Sequence, residues 1–250
     1  KIKEQTQSKR MPPWKADYNG EFHDEHKLTE SAIATVVKWA ANPASESGSP
    51  ALPQPELSTP KALAWHLGKP DAVYTMPAYT APAEGKDIYR CFVIPSGNKD
   101  EDRWVKGIEI QPGNRSVVHH SSVFIDLSGV GRKMDEAAPG PGYTNPTPGN
   151  GPGFNEVFSV LGGWTPGHQP RKLPTGTAIY LPKGADLVLE VHYHLTGKPE
   201  PDQTRFGVYY ANEPIDKRMY LGGTGSQSFT IPPGAKNYKI EASQHITGNV

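Results

Sequence analysis

The sequence has a single cysteine, Cys91, in 250 residues. That count excludes an intrachain disulfide and any zinc site built on cysteine pairs, and it leaves an oxidising compartment open without requiring one. Within "IYRCFVI" the thiol reads as a small buried apolar side chain. No charge of one sign dominates: Lys plus Arg and Asp plus Glu are 26 each. With no basic or acidic run, nucleic acid and anionic membrane surfaces are poor partners. Long apolar runs are absent too. "TAIYL" and "DLVLEV" fall far short of the roughly 20 residues that cross a bilayer, so no membrane insertion is expected. The opening "KIKEQTQSKR" offers no charged n-region followed by an apolar h-region, so any export signal is expected to lie outside these residues. Finally, there is no HExxH helix, no GxSxG elbow and no Walker loop, which argues against a metalloprotease, a hydrolase elbow and a nucleotide site.

What is abundant is glycine and proline, 26 of each, so turns are frequent and helices scarce. The one well-formed helical pattern is "LTESAIATVVKWAANP": Ile33, Val36, Val37 and Ala40 keep the i, i+3, i+4, i+7 spacing, Thr29 can cap, and Pro43 stops it. Residues 1–41 are therefore a helical piece, and the Pro- and Ser-rich stretch across 42–69 is a linker. From 70 to 250, short apolar or alternating runs recur between turn signals: "DIYRCFVI", "WVKGIEI", "SVVHHSSVFIDL", "TAIYL", "DLVLEVHYHL", "RFGVYY" and "NYKIEAS". That spacing predicts an all-β domain, an antiparallel β-sandwich. The Gly- and Pro-rich stretch 137–154 is expected to be a long surface loop.

Four of the nine histidines fall in two strand-like runs, His119 and His120 in the first, His192 and His194 in the second. In the second run the alternation places Leu187, Leu189, Val191, Tyr193 and Leu195 on one face and Val188, Glu190, His192 and His194 on the other. Imidazole is a common ligand for copper, zinc and iron, and donors drawn from two neighbouring strands of a rigid sheet keep such a site open. The same residues are equally readable as solvent-facing strand histidines. Neighbours on an ideal strand point to opposite faces, which would send His119 toward Val123 and Ile125 and His120 toward Ser122 and Asp126. Shared ligation then needs a strand end, a bulge, or binding through the nearer ring nitrogen. Tyr193, Glu190 and Asp126 are candidates to orient the rings, though each also reads as an ordinary strand residue.

"IYRCFVI", "GIEIQPGNRSVVHHSSVFID" and "LPKGADLVLEVHYHLTGKPEPDQTRFGVYY" resemble the N-terminal copper domain of the ascorbate-dependent type II copper monooxygenases, the family of peptidylglycine alpha-hydroxylating and dopamine beta-monooxygenases, with bacterial members looking most similar. The resemblance spans roughly residues 70–245. It implies a jelly-roll-like sandwich with one copper held by His119, His120 and His192, and His194 beside that ligand without binding. It also implies an electron-transfer role, an electron donor such as ascorbate, and a second copper domain as partner, where oxygen and substrate meet. The second domain's His-x-His and Met pattern does not appear after His194, where only Met219 and His245 remain, so these residues are expected to form one half of a longer oxidoreductase, inactive alone.

"KRMPPWKADYNGEFHDEHKLTESAIATVVKWAA" resembles the tail of a c-type cytochrome domain, in which Met11 would be an axial haem ligand. No C-x-x-C-H is present, so haem c is not completed by these residues, and Met11 is expected to pack beside Pro12 and Trp14. A periplasmic or otherwise extracytoplasmic setting follows from the same resemblance. Two rival readings stand beside it: a non-catalytic structural or interaction sandwich, and a trio that holds zinc instead of copper.

Overall fold

The computed structural model describes residues 1–12, 27–41, 64–145, 160–220, 225–226, 228–243 and 245. The chain divides into two compact units, Lys1–Ala62 and Leu63–Val250.

In the first unit the expected helix is α2, Glu30–Ala41, preceded by a short α1, Ile2–Gln7, that the periodicity did not reveal. Thr29 caps α2 as expected: its Oγ1 accepts the Ala32 N–H at 3.2 Å, satisfying one of the free donors of the first turn. Ile33 is buried, and Val36, Val37 and Ala40 are half-buried on the same face. Met11 is half-exposed at 53%, and its expected neighbour Trp14 lies outside the described residues.

The second unit is an all-β sandwich. One sheet has the order β1 (Ala72–Thr75), β11 (Arg205–Tyr210), β4 (Arg103–Gln111), β8 (Thr177–Leu181), β12 (Lys217–Arg218). The facing sheet has the order β6 (Tyr143–Thr144), β3 (Ile88–Pro95), β9 (Asp186–Tyr193), β5 (Val118–Asp126), β7 (Val160–Trp164). A small pair, β10 (Glu200–Asp202) with β2 (Tyr79–Ala81), completes it. All ladders are antiparallel except β12 on β8. The core is filled from both inner faces, by Val105, Ile110, Leu181, Phe206 and Val208 of the first sheet and Phe92, Val123, Ile125, Leu187, Leu189, Val191 and Tyr193 of the second. Burying side chains of this size stabilises by about 1.5–3 kcal/mol each before the cost of ordering them.

β9 is buried along its whole length. Its other face carries Val188, which packs with Cys91, Phe124 and Tyr143 in a second apolar cluster covered by Met134 of α3, Val130–Ala137. The sheet's outer face is thus apolar toward one end and, two residues further along, turns polar.

Three expectations are corrected. Residues 137–154 are not all loop: Tyr143 and Thr144 form β6 against Cys91 and Arg90, with Tyr143 and Asn145 buried, because the aromatic ring finds the apolar cluster beneath it. Residues 146–154 lie outside the described residues. "NYKIEAS" forms no strand and leaves Tyr238 and Ile240 exposed, since alternation alone supplies no partner edge. Residues 64–69, read as linker, are fastened to the first sheet: the buried Glu109 carboxylate accepts the N–H groups of His66 and Leu67, at 3.0 and 3.1 Å. Trp65 and Pro70 lie over Gly207, where an added Cβ would come 2.6 Å from the Pro70 ring, so only glycine fits that strand position.

Candidate metal centre

The strand pair β5–β9 places the histidines. Val118 stands opposite Tyr193, but the next pair is His120 opposite His192, so His119 is the extra residue of a β-bulge. The bulge resolves the objection raised by strand alternation. Val118 keeps its side chain in the core, His120 takes the outer face with Phe124, and His119, unpaired, turns to that same outer face beside it.

The turn before the bulge is pinned. Asn114 donates its backbone N–H to Asp202 Oδ1 at 2.9 Å and its side-chain amide to Glu200 Oε2 at 2.9 Å, while its carbonyl accepts the N–H of Val118 at 3.0 Å. Past the end of β9, the N–H of His194 bonds the Val117 carbonyl at 2.9 Å. Tyr193, in the core, donates its hydroxyl to Asp202 Oδ2 at 2.9 Å, so one carboxylate ties together both strands that carry the histidines.

The result is a convergence of three ring nitrogens. His119 Nδ1 lies 3.1 Å from His120 Nδ1 and 3.1 Å from His192 Nδ1, and the last two are 3.4 Å apart. A triangle with those sides has its centre about 1.9 Å from each corner, close to the about 2.0–2.1 Å of a zinc–imidazole bond. The three residues are a group whose donor atoms can hold one metal ion.

The carboxylate of Asp87 sets the tautomer of one ring of the trio, His192. Its Oδ2 lies 3.0 Å from His192 Nε2, and an ionised carboxylate only accepts, so Nε2 carries the proton and Nδ1 turns a lone pair to the centre. With the Nδ1 lone pairs of all three rings turned to that point, a cation there would satisfy them together. Hydrogen bonding to His192 holds the Asp87 carboxyl below its ordinary value. Burial, then the like charges of His192 and His119, lower the His120 pKa and favour the neutral ring that a metal requires.

Tyr89 supports His192 from the β3 side. It is the cross-strand partner of His192, and the rings stack at 4.1 Å with 9° between their planes. His194 stays outside the triangle: it is exposed and its Nδ1 lies 3.2 Å from the other oxygen of Asp87.

All three expected ligands are therefore brought together, and His194 lies outside the group, on Asp87. The three suggested orienting residues lie elsewhere. Tyr193 points into the core, Glu190 accepts from Asn145 and the Cys91 thiol, and Asp126 binds the N–H groups of Ser128, Gly129 and Gly131 to shape the turn into α3. Asp87 and Tyr89 were missed. Their signal is the D-x-Y of "DIYR" at the start of β3, opposite the H-x-H at the end of β9, and only the strand pairing shows that the two patterns meet.

An all-imidazole donor set suits zinc, copper, iron or nickel and is a poor host for magnesium or calcium. Three donors leave further coordination positions open, the pattern of a reactive centre more than of a closed structural one. Among the described residues no helix is long and apolar enough to cross a membrane. In comparisons with known proteins, no family model and no curated sequence matches the chain.

Proposed function

We propose that the sandwich is a mononuclear type II copper domain, with His119, His120 and His192 as Nδ1 ligands, serving electron transfer in an ascorbate-dependent monooxygenase-like oxidoreductase. The observation that carries the reading is the bulge at His119, which turns an adjacent pair and a cross-strand histidine into one triangle of metal-bonding size. Copper is favoured over zinc by the resemblance of both histidine runs, with their flanks, to the copper domain of that family.

A copper ion held there supplies one-electron exchange between its two oxidation states. The chain's own part is to bring the three rings to one point and to hold His192 and His120 on packed strands, so that little rearrangement of the sheet accompanies the change of charge. His120 and His192 sit on paired strands of a packed sheet, His192 is further clamped between Tyr89 and Asp87, and the turn at Asn114 anchors the backbone just before the bulge that carries His119. In this reading the oxygen- and substrate-binding copper belongs to a second domain, the partner the resemblance implies. Ascorbate or a cytochrome c-like domain, to which residues 1–41 are similar, delivers the electrons. The setting is periplasmic or otherwise extracytoplasmic.

Protein purified without added metal, then titrated with Cu(II) and followed by electron paramagnetic resonance, tests the assignment. One copper per chain with a type II signal, abolished in a His119→Ala, His192→Ala double variant, supports it. Stoichiometric zinc that copper does not displace overturns the copper part, and a chain that takes up neither metal favours a structural or interaction sandwich.

A further inference from the structure

The second histidine of the H-x-H run does not touch the triangle, yet it is not idle. His194 Nδ1 and His192 Nε2 bind the two oxygens of one carboxylate, Asp87, at 3.2 and 3.0 Å. The two rings lie on one side of the chain because they are two residues apart in extended backbone, His192 on β9 and His194 just past its end, and Asp87 precedes β3, the strand that pairs with β9. The Asp87 side chain is 45% exposed, so without a second contact it would sample several rotamers. His194 removes that freedom. Neither His119 nor His120 has a carboxylate on its outer nitrogen among the described residues, so the negative charge is delivered to the site through His192 alone.

We propose that Asp87, held in place by His194, is the positioning residue that fixes His192 as its Nε2–H tautomer and lowers the reduction potential of the bound copper. The proposal rests on the copper reading above for its redox half only. A carboxylate bonded to the far nitrogen of a ligand imidazole strengthens the donor, and such partners are commonly worth about 10–100-fold in metal affinity. The stabilisation is greater for Cu(II) than for Cu(I), because the extra positive charge interacts with the same negative charge. Removing Asp87 therefore weakens Cu(II) binding more than Cu(I) binding. Each tenfold difference between the two raises the one-electron potential by about 59 mV.

The test compares the unaltered protein with Asp87→Ala, Asp87→Glu and His194→Gln variants. In the metal-free protein, long-range proton–nitrogen correlation NMR reads the His192 tautomer directly: Nε2–H is expected in the unaltered protein and a mixture in Asp87→Ala. With copper added, Asp87→Ala is expected to lose about 10–100-fold in Cu(II) affinity and to show a raised potential. Asp87→Glu should recover part of both effects, and His194→Gln should show the same changes in smaller measure. Asp87 lies outside the core, and an unchanged melting temperature confirms that the fold survives. An unaltered His192 tautomer in Asp87→Ala overturns the positioning role, and unaltered Cu(II) affinity and potential overturn the tuning role. If the unaltered protein binds no copper, the copper reading fails on its own, and the tautomer measurement still decides the positioning role.

Discussion

His120 stands directly across from His192 in the β5–β9 ladder, although the preceding pair is Val118 with Tyr193, so β5 advances two residues where β9 advances one. The whole candidate site depends on that mismatch. Without it His119 and His120 would face opposite sides of the sheet.

Deleting His119 is therefore expected to leave the fold intact. Val118 and the residue now following it would oppose Tyr193 and His192 in an uninterrupted ladder, with core and outer faces both preserved. Denaturant melts should show stability within about 1 kcal/mol of the unaltered protein, the range in which most tolerated single changes fall. Metal titration should show the site abolished. A deletion variant that fails to fold, or that still binds one metal tightly, would contradict the bulge assignment.

Acid should act on the site in two ways. Metal binding needs neutral imidazoles, so affinity is expected to decline as pH falls through about 6.5 and below. The His120 pKa is depressed by burial and by the neighbouring histidines. Above about 6.5 neither the folded nor the unfolded chain protonates this ring, and it contributes nothing to pH dependence. Below that value the unfolded chain takes up the proton first, so the metal-free protein loses stability until the lowered folded value is passed. Urea melts at several pH values should show this slope, and a His120→Asn variant should show a shallower one.

Tyr89→Leu removes the ring stacked on His192 while keeping a side chain of similar breadth on β3. The expected cost is about 0.5–1.5 kcal/mol of stability, read by urea denaturation. Looser metal binding should follow, because the His192 ring loses one of the surfaces that hold its angle. Tyr89→Phe, which retains the ring, should preserve both properties. Equal losses in the two variants would assign the effect to the hydroxyl.

Cys91 should be inert in the native protein. Burial, reinforced by the charge of Glu190, pushes its thiol well above the ordinary value, and the thiolate is the form that reacts. A thiol-disulfide reagent at pH 8 is expected to modify the unfolded chain promptly and the folded one only at the rate of unfolding. Rapid modification of the native protein would mean that the Val188, Phe124 and Tyr143 cluster opens without global unfolding.

How much of this was legible in the sequence varies with the kind of contact. The strands β3, β4, β5, β8, β9 and β11 were, since each is an apolar run bounded by turn signals, whereas the short β1, β6, β7 and β12 of the same sheets carry no such signal, and the helix with its Thr29 cap was legible for a similarly local reason. The ligand trio was legible as a pattern of residue types, but its convergence was not, because a bulge is a property of two strands paired together. Asp87 and Tyr89 were hidden for the same cause: each is an ordinary residue until the β3–β9 pairing sets Tyr89 opposite His192 and brings the Asp87 carboxylate to its ring. "NYKIEAS" shows the converse, an alternating run that remained unpaired and exposed.

The three ring positions are held with unequal firmness. His192 is 6% exposed and clamped between Tyr89 and Asp87, whereas His119 sits exposed on the bulge, where among the described residues its ring meets those of His120, His192 and His194. An ion would then arrive and depart by the swing of one ring. The rate at which a chelator strips the centre would follow the local motion of a single backbone position, and tightening that position would slow exchange without altering which ion is preferred.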